Sequence, residues 1–310
     1  MSRLLVTGVN GFVGKHLVRE LQTRGVQVVG VGNEAEPHPQ LASSLSSYAS
    51  CDLTDASAVG RLPLANIDAV ISLAGLANVG DSFAQADRYK EINVKVLSVL
   101  GEQLLVSGLK PRVIAVSSGT VYDLQQSMPL TEDSTVVKSG SPYAESKLLM
   151  EKAALELRDR GLPCLITRPM NHSGPGQVGG FLIPDLYQKI MAAKQNDGVV
   201  KVGDLSTKRD YTDVRDVVRA YADLALLPEP PKYDIYNVCS GRSIAGTDIL
   251  QMLLDATGTQ ATIKIEQDPA LMRPNDAPNL YGSYARLQTE TGWSPQIPLV
   301  QTIKDFVANS

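Results

Sequence analysis

The sequence predicts an α/β fold, a doubly wound parallel sheet with a smaller C-terminal α/β domain, and three observations carry that reading. A glycine-rich turn with Gly8, Gly11 and Gly14 directly follows the first apolar run. Short β-branched runs alternate with segments of helical period through the first half. After Arg168-Pro169 the texture changes, because Gly174-Pro175-Gly176 and Gly179-Gly180 interrupt any regular element.

In order, residues 4–7 form the first strand and a helix starts near Phe12. Further strands fall at 26–31, 69–73, 113–117 and 164–167, continuous apolar runs of the kind that parallel strands buried on both faces require. Between them, residues 82–107 and 143–160 carry apolar side chains at helical spacing, with helices starting near Ser82 and Pro142. The serine-rich stretch 43–50 and Pro228-Glu229-Pro230-Pro231 read as loops. Beyond the glycine-rich boundary come a helix over 184–194, a strand over 199–202, a helix over 213–226 capped by Asp213, and short elements after Gly241. This divides the chain into domains 1–168 and 169–310, with residues 209–240 packing back on the first.

Composition narrows the partners. The chain has 310 residues, 43% hydrophobic and 20% charged, as globular proteins do. A net charge of -4 and a pI near 5.5 give no basic field for a nucleic acid or an anionic membrane. Cys51, Cys164 and Cys239 lack ligand or disulfide spacing, so they read as core residues and no metal is expected. The apolar run 4–6 is too short for a signal sequence, and no run approaches the ~20 residues of a membrane span. The expectation is a cytoplasmic protein.

The turn Gly8-Val9-Asn10-Gly11-Phe12-Val13-Gly14 stands where a pyrophosphate would meet a helix N-terminus, so the first domain reads as dinucleotide-binding. An acid at the end of the second strand would select NADH and an arginine NADPH; Gly32, Asn33 and Glu34 are found instead. Asn33 is placed at the ribose edge, and the choice between NADPH and NADH stays open. Asp52 and Leu53, after the next short strand, are candidates for the adenine end. Leu73, Ala74 and Gly75 form the strand end beneath the cofactor.

Tyr143 and Lys147 stand four apart on one helix face, a proton donor next to a cation. The spacing alone arises by chance in a chain with 11 tyrosines. Ser117-Ser118-Gly119-Thr120 upstream, at the C-terminal end of a strand, gives it context, because open α/β sheets bind ligands there. The glycine turn, the Ser118 strand end and Tyr143-Ala-Glu-Ser-Lys147, in this order, resemble the extended short-chain dehydrogenase/reductases with their Rossmann sheet. The resemblance implies that Ser118 polarises a sugar carbonyl, Tyr143 donates a proton, and Lys147 lowers the tyrosine pKa and holds the nicotinamide ribose. It also implies a homodimer through a four-helix interface of segments 82–107 and 143–160.

Gly119 and Thr120 stand where related 4,6-dehydratases carry an acidic base, which leaves reduction or 4-epimerisation. Fucose-synthase-type enzymes use a Cys and a His near positions occupied by Gly119 and Phe181, with His172 offset. Four stretches resemble the GDP-4-keto-6-deoxymannose reductases: Arg168 to Gln177, Val202 to Val218, Tyr236 to Gly241 and Asp268 to Pro274. Asp123 departs from that pattern, which has glycine there. The implied substrate is a GDP-linked 4-keto-6-deoxyhexose. A diphosphate favours arginine, so Arg209 and Arg273 are candidates, with Asn171, Lys189 and Thr120 as further contacts. The competing readings are a 4-epimerase that retains NAD and a non-catalytic dinucleotide-binding relative.

Overall fold

Each run of alternating apolar side chains feeds two cores at once. In the computed structural model, which describes residues 1–196, 198–271 and 277–310, Leu4 and Val6 of the first strand point to one face of the sheet and Leu5 to the other. The first part of the chain comprises β1 (Arg3–Thr7), α1 (Phe12–Thr23), β2 (Gln27–Gly32), β3 (Ser47–Ser50), α2 (Ala56–Val59), β4 (Ala69–Ser72), α3 (Val79–Ser82), α4 (Ala86–Val106), β5 (Arg112–Val116), α5 (Pro142–Asp159) and β6 (Cys164–Pro169). The remainder holds β7 (Asn171–Ser173), α6 (Leu182–Gln195), β8 (Val199–Val202), β9 (Lys208–Asp213), α7 (Val214–Ala225), β10 (Ile235–Val238), β11 (Ser243–Ala245), α8 (Gly246–Thr257), β12 (Lys264–Gln267), β13 (Asn279–Leu280), α9 (Ala285–Thr291) and α10 (Leu299–Ala308).

Seven strands form one sheet in the order β3-β2-β1-β4-β5-β6-β10, and every pairing is parallel. Helices α1 and α7 cover one face through Leu17, Leu21, Val217 and Tyr221. Helices α4 and α5 cover the other through Leu97, Leu100, Met150 and Leu157. This is the doubly wound Rossmann arrangement, and its strand order reverses between β1 and β4, which opens a crevice at their carboxyl ends. A smaller C-terminal core gathers Leu186 and Ile190 of α6, Val200 of β8, Leu253 of α8 and Phe306 of α10. After the glycine-rich segment the chain returns to the first sheet: β10 pairs with β6, and α7 lies on α1.

Two expectations are corrected. The serine-rich stretch contains β3 rather than only a loop, because an edge strand needs backbone pairing with β2 on one side and tolerates small polar side chains. The helix expected over 82–107 is split into α3 and α4, since Ser82 donates back to the Val79 carbonyl at 2.6 Å and α4 restarts after Gln85, whose backbone is not helical. The proposed cap Asp213 accepts from the Arg215 amide at 2.8 Å and also from Thr302 of α10 at 2.7 Å. Trp293 is a packing anchor as expected, 2% exposed and donating to the Asp216 carbonyl at 3.0 Å. The three cysteines are buried and unpaired. Among the described residues no helix is long and apolar enough to cross a membrane, and no cluster of three His, Cys, Asp or Glu side chains is arranged to hold a metal ion.

Candidate active site

The glycine turn sits at the crevice. Gly8 has φ +65°, and a side chain there would lie 2.9 Å from the Ala74 nitrogen and 3.1 Å from the Leu73 carbonyl carbon. At Gly14 a side chain would meet the Gly8 and Val9 carbonyl oxygens at 2.5 Å. Only glycine therefore lets the turn, the β4 end and α1 approach this closely. Gly11 caps α1 without a side-chain hydrogen bond and no acid stands in the first turn, so no capping side chain takes up the opening amides of α1 and no carboxylate would repel an anion there. The residues present thus fit the pyrophosphate of a dinucleotide. Asn10 leaves this turn to donate to the Glu34 carboxylate at 3.0 Å and to accept from the His38 amide at 2.8 Å. Asn33 is exposed just past β2, and Gly75, φ +150°, ends the β4 segment. Asp52 instead accepts from the Thr54 amide and hydroxyl at 2.9 and 2.7 Å, the geometry of a turn aspartate, while Leu53 is buried.

Ser118, Tyr143 and Lys147 come together at the carboxyl end of β5 and the start of α5. Ser141 caps α5 by accepting from the Ala144 amide at 3.2 Å, and Pro142 occupies the first helical position, which fixes Tyr143 in the opening turn. The Ser118 hydroxyl accepts from the Thr120 amide and hydroxyl at 3.2 and 3.0 Å. Lys147 donates to the Val116 carbonyl at 2.9 Å and lies 5.9 Å from the centre of the Tyr143 ring. Burial pushes the Tyr143 phenol up to about 12, against the pull of a hydrogen bond with Ser118. Burial also brings Lys147 down to about 8, with Glu151 opposing. Desolvation is the largest influence on the phenol and holds it above its ordinary value.

Behind this trio lies a polar network that sequence reasoning missed. Arg168 of β6 donates to both carboxylate oxygens of Glu151 at 2.9 and 2.7 Å, and Ser117 donates to the same carboxylate at 2.5 Å. The guanidinium also stacks 4.8 Å from the Tyr122 ring, whose hydroxyl donates to Asn237 at 2.6 Å. On α4, Asn93 accepts from the Leu76 amide at 2.7 Å and donates to Ser146 of α5 at 2.9 Å, which pins the loop after β4 to the helix of Tyr143. Its signal was an asparagine within the buried stripe of Tyr89, Val96, Leu97 and Leu100. Glu151 stands one turn beyond Lys147 on the same face.

The substrate candidates Asn171, Arg209 and Lys189 lie on three separate elements, β7, β9 and α6. Asn171, exposed on β7, pairs in register with Tyr211. Its neighbour His172 donates to the Met170 carbonyl at 3.2 Å and stacks on Phe12, interplanar angle 3° and centroids 6.3 Å apart. That contact sets the loop against the glycine turn, and His16 of α1 ties to the Pro175 carbonyl at 2.9 Å. Arg209 donates to the Lys208 and Ala277 carbonyls at 2.7 and 2.8 Å, and Lys189 of α6 donates to the Lys201 carbonyl at 2.9 Å. Arg273 lies outside the described residues. Asp210 is a buried hub between β9 and two loops, accepting from the Ser240, Gly241 and Gly282 amides at 2.7, 3.1 and 3.3 Å.

A glycine turn at the strand-order reversal, a serine just past the end of β5, and a tyrosine and a lysine in the first turns of α5 together define a dinucleotide-binding oxidoreductase architecture. Residues 4–239 match the NAD dependent epimerase/dehydratase family, and the chain belongs to it. It is 34% identical to GDP-6-deoxy-D-mannose reductase of Pseudomonas aeruginosa, over 99% of this chain and 97% of that protein. It is 28% identical to UDP-glucose 4-epimerase of Neisseria meningitidis, over 98% of this chain and 96% of that protein. Among solved structures, RMD from Pseudomonas aeruginosa complexed with NADPH superposes with a TM-score of 0.85 at 32% identity, covering 100% of this chain and 98% of that one.

Proposed function

We propose that this protein is a nucleotide-sugar 4-ketoreductase that reduces GDP-4-dehydro-6-deoxy-D-mannose to GDP-D-rhamnose. What supports the reading is the meeting of Ser118, Tyr143 and Lys147 where β5 ends and α5 begins. Full-length similarity to a GDP-6-deoxy-D-mannose reductase supports the sugar. A bound reduced nicotinamide supplies the hydride. Ser118 bonds to the sugar carbonyl oxygen and orients it. As the carbonyl carbon gains hydride, its oxygen becomes an alkoxide, a stronger base than a phenolate, so a phenol held near 12 still gives up its proton downhill. The resulting phenolate is held by the Lys147 ammonium. Gly119 and Thr120 supply no carboxylate next to this centre, which disfavours elimination.

The experiment is incubation with a panel of nucleotide 4-keto sugars and each reduced nicotinamide, followed by product identification. Consumption of one nicotinamide per GDP-sugar supports the reductase. Sugar inversion without loss of near-ultraviolet absorbance identifies a 4-epimerase.

The free enzyme also predicts a pH limb. Lys147 is an ammonium below its value of about 8 and a neutral amine above it, so stabilisation of the phenolate disappears as pH rises. The ratio kcat/KM is expected to fall by about tenfold per pH unit above that point. A flat profile up to the ordinary lysine range would remove Lys147 from this role.

We further propose a homodimer through the outer faces of α4 and α5, where Lys90 pairs with Glu145 at 2.7 Å and Leu149 is 45% exposed. Light scattering at micromolar concentration is expected to give twice the chain mass of 33.3 kDa; a monomer rejects the interface.

A further inference from the structure

Building on the dinucleotide reading above, we infer that Glu34 makes this chain prefer NADH over NADPH. Its carboxylate substitutes for the acidic side chain that β2 lacks at Gly32. A side chain built on Gly32 would begin 2.8 Å from Glu34 Oε2 and 2.7 Å from the Tyr48 hydroxyl, so the Glu34 carboxylate already lies where an acid at the strand end would reach. One bond reaches the carboxylate itself and two brace the segment around it. Asn10 Nδ2 donates to Glu34 Oε2 at 3.0 Å, Tyr48 donates to the Glu34 main-chain carbonyl at 2.7 Å, and Asn10 Oδ1 accepts from the His38 amide at 2.8 Å. Because Asn10 belongs to the glycine turn, the carboxylate is tied to the element that receives the pyrophosphate, on the side of the second strand where an adenosine ribose lies. Glu34 also follows Gly14 by about the 20 residues at which such folds place the acid that binds the ribose 2′-hydroxyl.

Charge decides the selectivity. A 2′-hydroxyl donates a hydrogen bond to this carboxylate, whereas a 2′-phosphate brings a second negative group against it. Residues 32–40 hold two acids, Glu34 and Glu36, and neither lysine nor arginine. The cation that reaches this loop from α1, Arg19, is engaged with Gln40 Oε1 at 2.9 Å. This chain therefore departs from its solved relative, which is complexed with NADPH.

The test is calorimetric titration of the full chain with NADH and with NADPH, alongside kcat/KM for each. NADH is expected to bind at least about 10-fold more tightly. Glu34→Gln keeps the shape, removes the charge and is expected to close most of that gap by tightening NADPH and weakening NADH. Glu34→Ala combined with Gly32→Asp returns a carboxylate to the strand end and is expected to restore the NADH preference, an outcome that a merely structural role for Glu34 does not produce. Equal or tighter NADPH binding by the parent chain, or an unchanged ratio in Glu34→Gln, overturns the assignment and leaves the dinucleotide site standing. Binding of neither cofactor overturns both.

Discussion

Tyr143→Phe is expected to lose about 10²–10⁴-fold in turnover while binding reduced nicotinamide normally. The substitution removes one oxygen from a helix opening that Ser141 and Pro142 fix independently, and the ring keeps its edge contact with Tyr89, centroids 6.4 Å apart. The loss should fall on kcat and kcat/KM together, since the proton moves only as the alkoxide forms. Steady-state kinetics with a cofactor titration separate the cases. Full activity refutes Tyr143 as the donor, and loss of cofactor binding with activity points to a damaged fold.

The second large effect is on stability. Glu151→Ala leaves Arg168 as a buried guanidinium without its carboxylate and Ser117 without its acceptor, at a cost of roughly 3–5 kcal/mol. Both partners are about 5% exposed at the side chain, 5% for Arg168 and 6% for Glu151, so solvent offers little screening. Replacing both, Glu151→Leu with Arg168→Met, removes the unpaired charge and is expected to recover most of the loss. Urea or thermal denaturation reads this directly. A single variant as stable as the parent would show that the pair carries no such energy.

The sheet and the glycine turn were legible because both follow from local chemistry: β-branched runs, a helical period, and glycines where backbone must approach backbone. Tyr143 and Lys147 were legible for the same reason, being one helical turn apart. What escaped was non-local. The bond from Asn10 to Glu34 spans the whole first β-α-β unit, and no local pattern announces it. The Glu151 and Arg168 pair joins α5 to β6 and leaves no periodic trace. The sign of the Tyr143 shift also required burial, which spacing does not report. β3 was hidden by its serines, since an edge strand is made by its neighbour's hydrogen bonds rather than by its own side chains.

Isotope transfer tests the central claim most directly. With the nicotinamide carrying deuterium at its transferable position, incubation with GDP-4-dehydro-6-deoxy-D-mannose should yield product with one deuterium at the sugar C4 and an equal amount of oxidised cofactor. Product formed without deuterium, or no product under conditions where the cofactor is bound, would contradict hydride delivery to a carbonyl held between Ser118 and Tyr143.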